Sequence, residues 1–299
     1  MESICNRTRV DKILLFVNAR DEPNMKEWVA HHLLIGFDYI FIYDHKSIIP
    51  LEGQFNNFNK NGDKVFVKRC ELNGPVKDFF ITRAAETAKS INADWMLYLD
   101  ADEFFVINTD KINNVKELLK MYPNADSVSF NWLMFGSNGH IKEPEGLIID
   151  NYTKSQLKLC DHIKTFIRPS QFLKPNAHRC DIKNPIKMFH GNKTRLITRS
   201  EILINNSRLF DNPIEYYNSI AYIAHYYVQS KETWIRRKLT LPRDDNGQIR
   251  PQNQTILNKE LSLHYDMHSD LNDIENLNVK NKYSENIKRY LQSIDLLDK

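Results

Sequence analysis

The chain has 299 residues, of which 41% are hydrophobic and 11% aromatic, enough to build a sizeable buried core. Its net charge of +3 and its pI near 8.5 are too mild for a nucleic-acid-binding protein, which usually carries a clustered basic face. No segment approaches the roughly 18 consecutive apolar residues of a membrane helix, so we expect a soluble, cytoplasmic protein with no membrane span and no nucleic-acid partner.

The amino-terminal part of the chain alternates strand patterns with helix patterns. Residues 12–18 are mostly apolar, as in a short buried strand, and lead into a charged triplet at residues 20–22. Apolar side chains at helical spacing follow, between Pro23, which suits a first helical turn, and Gly36, which suits a helix stop. The pattern predicts a strand, a charged loop and a helix.

Two more strand patterns and a second helix pattern follow. Residues 39–43 are aromatic and β-branched and precede Asp44, and residues 65–67 form a third strand candidate. From Asp78 onward, apolar positions repeat every 3.6 residues, which predicts a helix leading to a strand at residues 95–100. Strands that alternate with helices pair in parallel, so the polar loops after these strands should gather along one edge of the sheet.

The most informative segment is residues 95–105, where an apolar, aromatic run ends at Asp100, Asp102 and Glu103. Such a run predicts a buried central strand, and open α/β sheets bind ligands beyond the carboxyl ends of their strands. Clustered carboxylates are hard oxygen ligands that suit Mg²⁺ or Mn²⁺, which bridge protein carboxylates to substrate phosphates. The alternative is a solvated acidic turn that binds no ion.

Several motifs occur in a fixed order along the chain. They are Arg20-Asp21-Glu22, residues 27–32 with Gly36, Tyr43-Asp44, Asp100-Ala101-Asp102-Glu103-Phe104, residues 132–139, and His225-Tyr226-Tyr227 followed by Ser230-Lys231 and Lys238. The first four resemble the nucleotide-sugar half of GT-A glycosyltransferases, most closely the family-2-like and family-92-like enzymes, and the last two fit the same group. The resemblance covers roughly residues 12 to 240 and implies an α/β fold with a GT-A-like, Rossmann-related, mostly parallel central sheet flanked by helices, and a helical carboxyl-terminal extension.

A polar, turn-prone stretch that begins near Asp244 predicts where the catalytic domain ends. The expected organisation is a GT-A-like catalytic domain at residues 1–245, with a nucleotide-sugar half at 12–105 and an acceptor half at 106–245, and a helical extension at 246–299.

The extension carries one clear helix pattern. Apolar residues from Tyr283 to Leu297 recur on one helical face, and Ser284 is placed to cap the helix. This helix either packs on the catalytic domain or forms a homodimer, and the pattern does not distinguish the two.

The resemblance implies a metal-dependent glycosyltransferase that moves a sugar from a nucleotide diphosphate sugar, with UDP the favoured nucleotide. The acceptor is a hydroxyl of a glycan, a protein or another molecule, and inversion of configuration is expected. The resemblance implies that Mn²⁺ or Mg²⁺ binds to Asp100, Asp102 and His225, with His178 as the competing histidine. The implied nucleotide-binding residues are Arg20, Asp21, Glu22, Asp44, Arg83 and Asp100.

An inverting enzyme needs a carboxylate that takes the proton of the acceptor hydroxyl. The candidates in the expected part of the chain are Glu143, Glu145, Asp161 and Asp181, and the sequence does not choose among them. One alternative function is a catalytically silent domain that binds sugar or protein. A phosphotransferase of the haloacid-dehalogenase type is less compatible, because Phe104 stands where that pattern needs Thr or Val.

The four cysteines form no Cys-x-x-Cys pair that would indicate a zinc or redox motif. We expect reduced thiols, and the spacing leaves a disulfide between Cys160 and Cys180 as the alternative.

Overall fold

The computed structural model describes residues 10–196, 203–205, 208–209, 214–240, 255, 258–259 and 261–298. The strands are Ile13–Ala19 (β1), Tyr39–His45 (β2), Val65–Cys70 (β3), Trp95–Asp100 (β4), Glu103–Ile107 (β5), Ser127–Met134 (β6), Lys154–Ser155 (β7), Ile163–Ile167 (β8), Phe172–Lys174 (β9), Asp181–Ile182 (β10), Met188–His190 (β11), Leu203–Asn205 (β12), Arg208–Leu209 (β13), Ala221–His225 (β14) and Ile274–Glu275 (β15). The helices are Met25–Leu34 (α1), Asn56–Lys60 (α2), Lys77–Ser90 (α3), Val115–Lys120 (α4), Ile148–Asn151 (α5), Lys231–Ile235 (α6), Met267–Ser269 (α7) and Asn278–Asp295 (α8).

One large mixed sheet organises the described residues, in the strand order β3-β2-β1-β4-β8-β6-β14-β5, with β11 beside the first half of β6. Five of the eight pairings described for this sheet are parallel, so the predicted α/β class with a mostly parallel central sheet is confirmed. The strands β1, β2 and β4 end side by side at what we call the carboxyl edge. The predicted gathering of polar loops occurs there.

The buried strand β1 explains why helices cover both faces of the sheet. All seven of its residues are buried, and successive side chains point to opposite faces. Leu15 and Val17 belong to an apolar cluster that includes Trp28 of α1, whereas Leu14 and Phe16 belong to a second cluster packed against α3. The run of apolar residues therefore builds two cores, one on each side of the sheet.

The second half of the sheet brings residues from late in the chain to the carboxyl edge. Strand β8 runs antiparallel to both β4 and β6, and β14 lies between β6 and β5. The register of β14 places His225 opposite Glu103, and the Tyr226 backbone N–H donates to the Asp102 carbonyl at 2.9 Å. Two motifs separated by more than a hundred residues thus become neighbours.

The carboxyl-terminal helix α8 packs on the rest of the chain. Its buried residues Tyr283, Ile287 and Ile294 join the core that contains α1, and the Tyr283 hydroxyl donates to the Ile107 carbonyl at 3.1 Å. The expectation that Ser284 caps this helix is wrong, because α8 begins at Asn278 and Ser284 lies buried in its second turn. Its apolar face is covered within the same chain.

Three other expectations concern the whole chain. No helix in the described part of the chain has the length and apolarity needed to span a bilayer. Cys70, Cys160 and Cys180 form no disulfide, so the alternative of a bond between Cys160 and Cys180 is wrong. The expected domain boundary at residue 245 lies outside the described residues.

Candidate active site

Asp100 ends β4 at the carboxyl edge and is held by two lysines. Its Oδ2 lies 2.8 Å from Nζ of Lys164 on β8, and its Oδ1 accepts a short hydrogen bond from Lys77, the first residue of α3. Burial alone would raise the pKa of Asp100, but the charges of Lys164 and Lys77 lower it well below its usual range. Asp100 is therefore a carboxylate whose charge is already balanced.

The Lys77 ammonium is also tied to β1. Asn18, next to last in β1, accepts hydrogen bonds through its carboxamide oxygen from Lys77 and from the Tyr98 hydroxyl, both at 2.9 Å. The ammonium also lies 5.1 Å from the centre of the Tyr98 ring. These contacts fix a cation at the point where β1 and β4 end.

Asp102 is buried after the turn that follows Asp100, and an arginine from late in the chain joins it to Glu22. Nη2 of Arg237 lies 2.9 Å from Oδ2 of Asp102, and its Nε donates to Glu22 at 2.9 Å. Burial acts to raise the pKa of Asp102, but Arg237 and then His225 lower it far below its usual range. Burial raises the pKa of Glu22 despite the same arginine.

His225 lies on the other side of Asp102. Its Nε2 is 3.6 Å from Oδ1 of Asp102, while its Nδ1 is buried without a hydrogen-bond partner among the described residues. The imidazole is thus held by packing, edge-on to the Trp132 ring at 4.3 Å between ring centres. An imidazole and a carboxylate at this separation can both contact one cation.

Three histidines contact the indole ring of Trp132. His162 stacks on it with ring centres 4.9 Å apart and an interplanar angle of 8°, and His178 lies tilted at 5.2 Å. His225 is the third. His178 donates from Nδ1 to the Ile163 carbonyl at 3.0 Å, and burial followed by the nearby Lys164 charge lowers its pKa to about 3. These rings form an aromatic cluster in which His225 faces Asp102.

Glu103, the third acid of the motif, points into the fold. It is fully buried, accepts the Asp100 backbone N–H at 2.9 Å through Oε2, and lies 3.2 Å from Nζ of Lys164. Burial raises the pKa of Glu103 to about 7, although the Lys164 charge acts in the opposite direction. Its role in the described structure is to hold the turn between β4 and β5.

The loops after β1 and β2 hold each other together. Arg20 donates to the His45 carbonyl at 2.6 Å, and Asp21, with a left-handed φ of 50°, accepts from the Ile48 backbone at 2.7 Å. The Asp21 carbonyl accepts from Arg236, the neighbour of Arg237. Asp21 is therefore connected through Arg236 to the neighbouring arginine that binds Asp102, whereas Arg20 contacts the end of β2.

Asp44 is hydrogen-bonded within the loop that follows β2. It is fully buried and accepts from the backbone N–H of Ser47 at 3.1 Å and of Leu51 at 3.0 Å, and from Arg69 at 3.0 Å. Burial acts to raise the pKa of Asp44, but these hydrogen bonds lower it. Arg83 pairs with Glu86 at 2.8 Å, and both side chains are largely exposed on α3. The structure does not bring Arg83 into contact with the acids at the carboxyl edge.

The four candidate bases occupy different places. Glu143 lies 3.7 Å from Nη2 of Arg236 and is partly buried, whereas Glu145 is exposed. Asp161 lies 3.1 Å from Nδ1 of His162, and Asp181 begins β10. Glu143 thus contacts Arg236, the neighbour of the arginine that binds Asp102. Asp161 is connected to His225 through His162 and Trp132.

The residues that sequence reasoning missed are all cations. Lys77, Lys164 and Arg237 neutralise Asp100 and Asp102, yet none belongs to a motif with recognisable spacing. The one usable signal was the basic run at residues 236–238, for which the sequence favours either a helix face or contact with substrate phosphate. Asp100, Asp102 and His225 do not bring three ligand atoms within 4.8 Å of one another in the part of the chain that the structure describes.

No protein-family model matches the chain, and no curated protein matches it. Solved structures with similarity include S. aureus TarS 1-349 in complex with UDP, at 15% identity over 54% of this chain with a TM-score of 0.35. HddC from Yersinia pseudotuberculosis aligns over 76% of this chain and 97% of its own, at 10% identity with a TM-score of 0.38. The alignment spans 48% of TarS 1-349, about half its length. Similarities at this level carry no argument about activity.

Proposed function

We propose that this chain is a metal-dependent glycosyltransferase that moves a sugar from a nucleotide diphosphate sugar, with UDP as the expected nucleotide, to an acceptor hydroxyl. The observation that carries the proposal is the pairing of Asp102 with His225 at the carboxyl edge, between clustered cations. A departing nucleotide diphosphate is strongly negative, and preset cations stabilise that charge as it develops. The acceptor class, whether glycan, protein or another hydroxyl compound, stays open.

The donor set fits a hard or borderline divalent cation. One carboxylate oxygen of Asp102 faces the His225 imidazole at 3.6 Å, a separation that one Mn²⁺ or Mg²⁺ can span. We assign these two residues as its first ligands, and Asp100 as a further ligand. When bound, the cation acts as a Lewis acid on the diphosphate.

The chain's own cations have a second role in this proposal. Arg237 contacts both Asp102 and Glu22, so neither buried acid is left uncompensated. Its planar guanidinium also suits bidentate binding of phosphate oxygens. We infer that Arg237 turns from Asp102 toward the diphosphate when donor and metal bind, while Lys77 remains fixed by Asn18 and Tyr98.

Direct inverting displacement requires a base opposite the leaving group. We assign Glu143 to this role, because Arg236 links its carboxylate to Asp21 and lies next to Arg237. Asp161 is the alternative, since His162 stacks on Trp132 and Trp132 contacts His225.

The test is a screen of nucleotide sugars with Mn²⁺, in which released nucleotide diphosphate is measured with and without crude acceptor. We expect release from one nucleotide sugar, stimulated by acceptor and abolished by a chelator. Binding of nucleotide without any release would indicate the silent, ligand-binding alternative. Release that survives the chelator would show that the lysines and Arg237 suffice, and would overturn the metal assignment.

A further inference from the structure

We propose that Cys160, Asp161 and His162 form a second metal site, which takes a borderline-soft transition ion of the zinc class. The thiol sulfur, one carboxylate oxygen and one imidazole nitrogen all lie within 4.8 Å of one another. Among the described residues this is the one group of three such side chains that meets this distance. The inference does not depend on glycosyl transfer.

The backbone around the three residues is fixed to strand β6. The Cys160 N–H donates to the Trp132 carbonyl and the Trp132 N–H donates to the His162 carbonyl, both at 2.9 Å. The Asn131 carboxamide donates to the Cys160 carbonyl at 2.9 Å. These hydrogen bonds hold the backbone of the short segment against β6.

The side-chain geometry also suits one ion. Nδ1 of His162 lies 3.1 Å from a carboxylate oxygen of Asp161, as expected for neighbouring ligands that each bind an ion at about 2.0–2.2 Å. Stacking on Trp132 fixes the plane of the imidazole. All three side chains are partly exposed, which gives an ion access from solvent.

The chemistry of the donors selects the ion. A thiolate and an imidazole favour Zn²⁺ or Co²⁺ over Mg²⁺ and Mn²⁺, which prefer oxygen. Three protein ligands leave a fourth tetrahedral position open to water or to another donor. Binding requires the Cys160 thiolate, so the thiol proton is released to solvent.

Co²⁺ is the probe that separates this site from the proposed Asp102 site, which contains no cysteine. The full chain, reduced and stripped of metal, is titrated with Co²⁺ while its absorption is recorded. We expect a near-ultraviolet thiolate-to-cobalt charge-transfer band that saturates at one ion, and its loss when Zn²⁺ displaces Co²⁺.

The decisive variant is Cys160→Ser, with Cys70→Ser as the matched control, since neither cysteine forms a disulfide and both are partly buried. We expect Cys160→Ser to abolish the band and to weaken Zn²⁺ binding by more than about tenfold, with Cys70→Ser unchanged. His162→Gln, which also keeps a polar side chain, should weaken binding similarly. A band that survives in Cys160→Ser, or the absence of any band in the unaltered chain, would overturn the proposal whether or not the chain transfers sugar.

Discussion

The Lys164 ammonium lies 2.8 Å from Oδ2 of Asp100 and 3.2 Å from Oε2 of Glu103, so one cation joins the end of β4 to the start of β5. Lys164 is 1% exposed, and Glu103 is fully buried. A buried charge that loses its partner has no water to replace it, and this costs several kcal/mol. The turn that carries the acidic motif therefore depends on a residue 64 positions later in the chain.

We expect Lys164→Met to lower the free energy of unfolding by about 3–5 kcal/mol, because it leaves Glu103 buried without its cation. Urea unfolding followed by circular dichroism measures this loss. Adding Glu103→Gln should restore part of it, since the uncompensated charge is then removed. Lys116→Met is the control, because the Lys116–Asp38 pair is partly exposed and should contribute no more than about 1 kcal/mol. Equal losses for the two lysines would contradict this role.

Asp102→Asn should reduce turnover more than tenfold, a loss of about 1.4 kcal/mol in transition-state stabilisation, and should leave the fold intact. The physical reason is that the amide removes the charge that faces His225, while Arg237 keeps its partner Glu22. Nucleotide diphosphate release with Mn²⁺ measures the effect. Asp38→Asn, at a carboxylate paired with Lys116, serves as the control and should keep its rate. A variant with more than about a tenth of the original rate would refute the assignment.

His225→Ala should weaken Mn²⁺ binding more than His178→Ala does. The His225 imidazole faces Asp102 at 3.6 Å, whereas His178 already uses Nδ1 to donate to the Ile163 carbonyl. The loss of one ligand should reduce affinity by at least about tenfold, or 1.4 kcal/mol. Free Mn²⁺ measured by electron paramagnetic resonance gives both constants. Equal or reversed losses would identify His178 as the ligand.

Stability should fall below pH 6.5, because two histidines of α1 are buried in the neutral form. His32 donates from Nδ1 to the Trp28 carbonyl and accepts the Phe105 N–H at Nε2, so protonation would break the second bond. Burial lowers the pKa of His31 to about 4 and that of His32 well below its usual range. The unfolded chain then binds more protons than the folded one, so stability is complete above about pH 6.5 and is lost as the pH falls toward 4.

From linkage, His31 alone should contribute a loss of about 1.5 kcal/mol between about pH 6.5 and about pH 5. Urea unfolding at a series of pH values measures the slope. His31→Gln keeps a donor for the Phe105 carbonyl but cannot titrate, so its stability should depend less on pH. An unchanged slope in this variant would contradict the buried neutral state of His31.

The stereochemical prediction is inversion. An α-linked donor should yield a β-linked product, and Glu143→Gln should lower kcat by on the order of 10² to 10⁴ while donor binding persists. Glu145→Gln, two positions away and exposed, is the matched comparison. NMR of the first-formed product decides the outcome. A retained configuration excludes direct displacement, and a larger loss in Asp161→Asn than in Glu143→Gln would move the base to Asp161.

Sequence patterns predicted the elements best where burial alone determines them. The strands β1 and β4 were predicted from apolar runs because both are buried on both faces. Gly36, with a φ of 100°, lies just beyond α1, as expected for a helix stop. The cap at Ser284 failed because the polar first turn of α8, from Asn278, has no apolar periodicity of its own. Pattern reasoning located the face of that helix but not its beginning.

The site was predicted as a set of acids, one histidine and the two arginines Arg20 and Arg83, without Lys77, Lys164 and Arg237. Long basic side chains reach their partners across the fold, and their pairing depends on which strands become neighbours rather than on spacing along the chain. Lys164 meets Asp100 only because β8 inserts antiparallel beside β4, a pairing that no local pattern indicates. Arg83 lies on the predicted helix α3, yet its side chain turns to Glu86.

The Arg237 bridge has a consequence for synthesis of the protein on the ribosome. Glu22 and Asp102 are made early, whereas the arginine that compensates them both is made 215 positions after Glu22. A nascent chain that has emerged only through β5 cannot bury these two acids without leaving them unpaired. The amino-terminal half should therefore keep its acidic turn hydrated until the residues that follow α6 emerge, so that closure of this edge is a late event in co-translational folding.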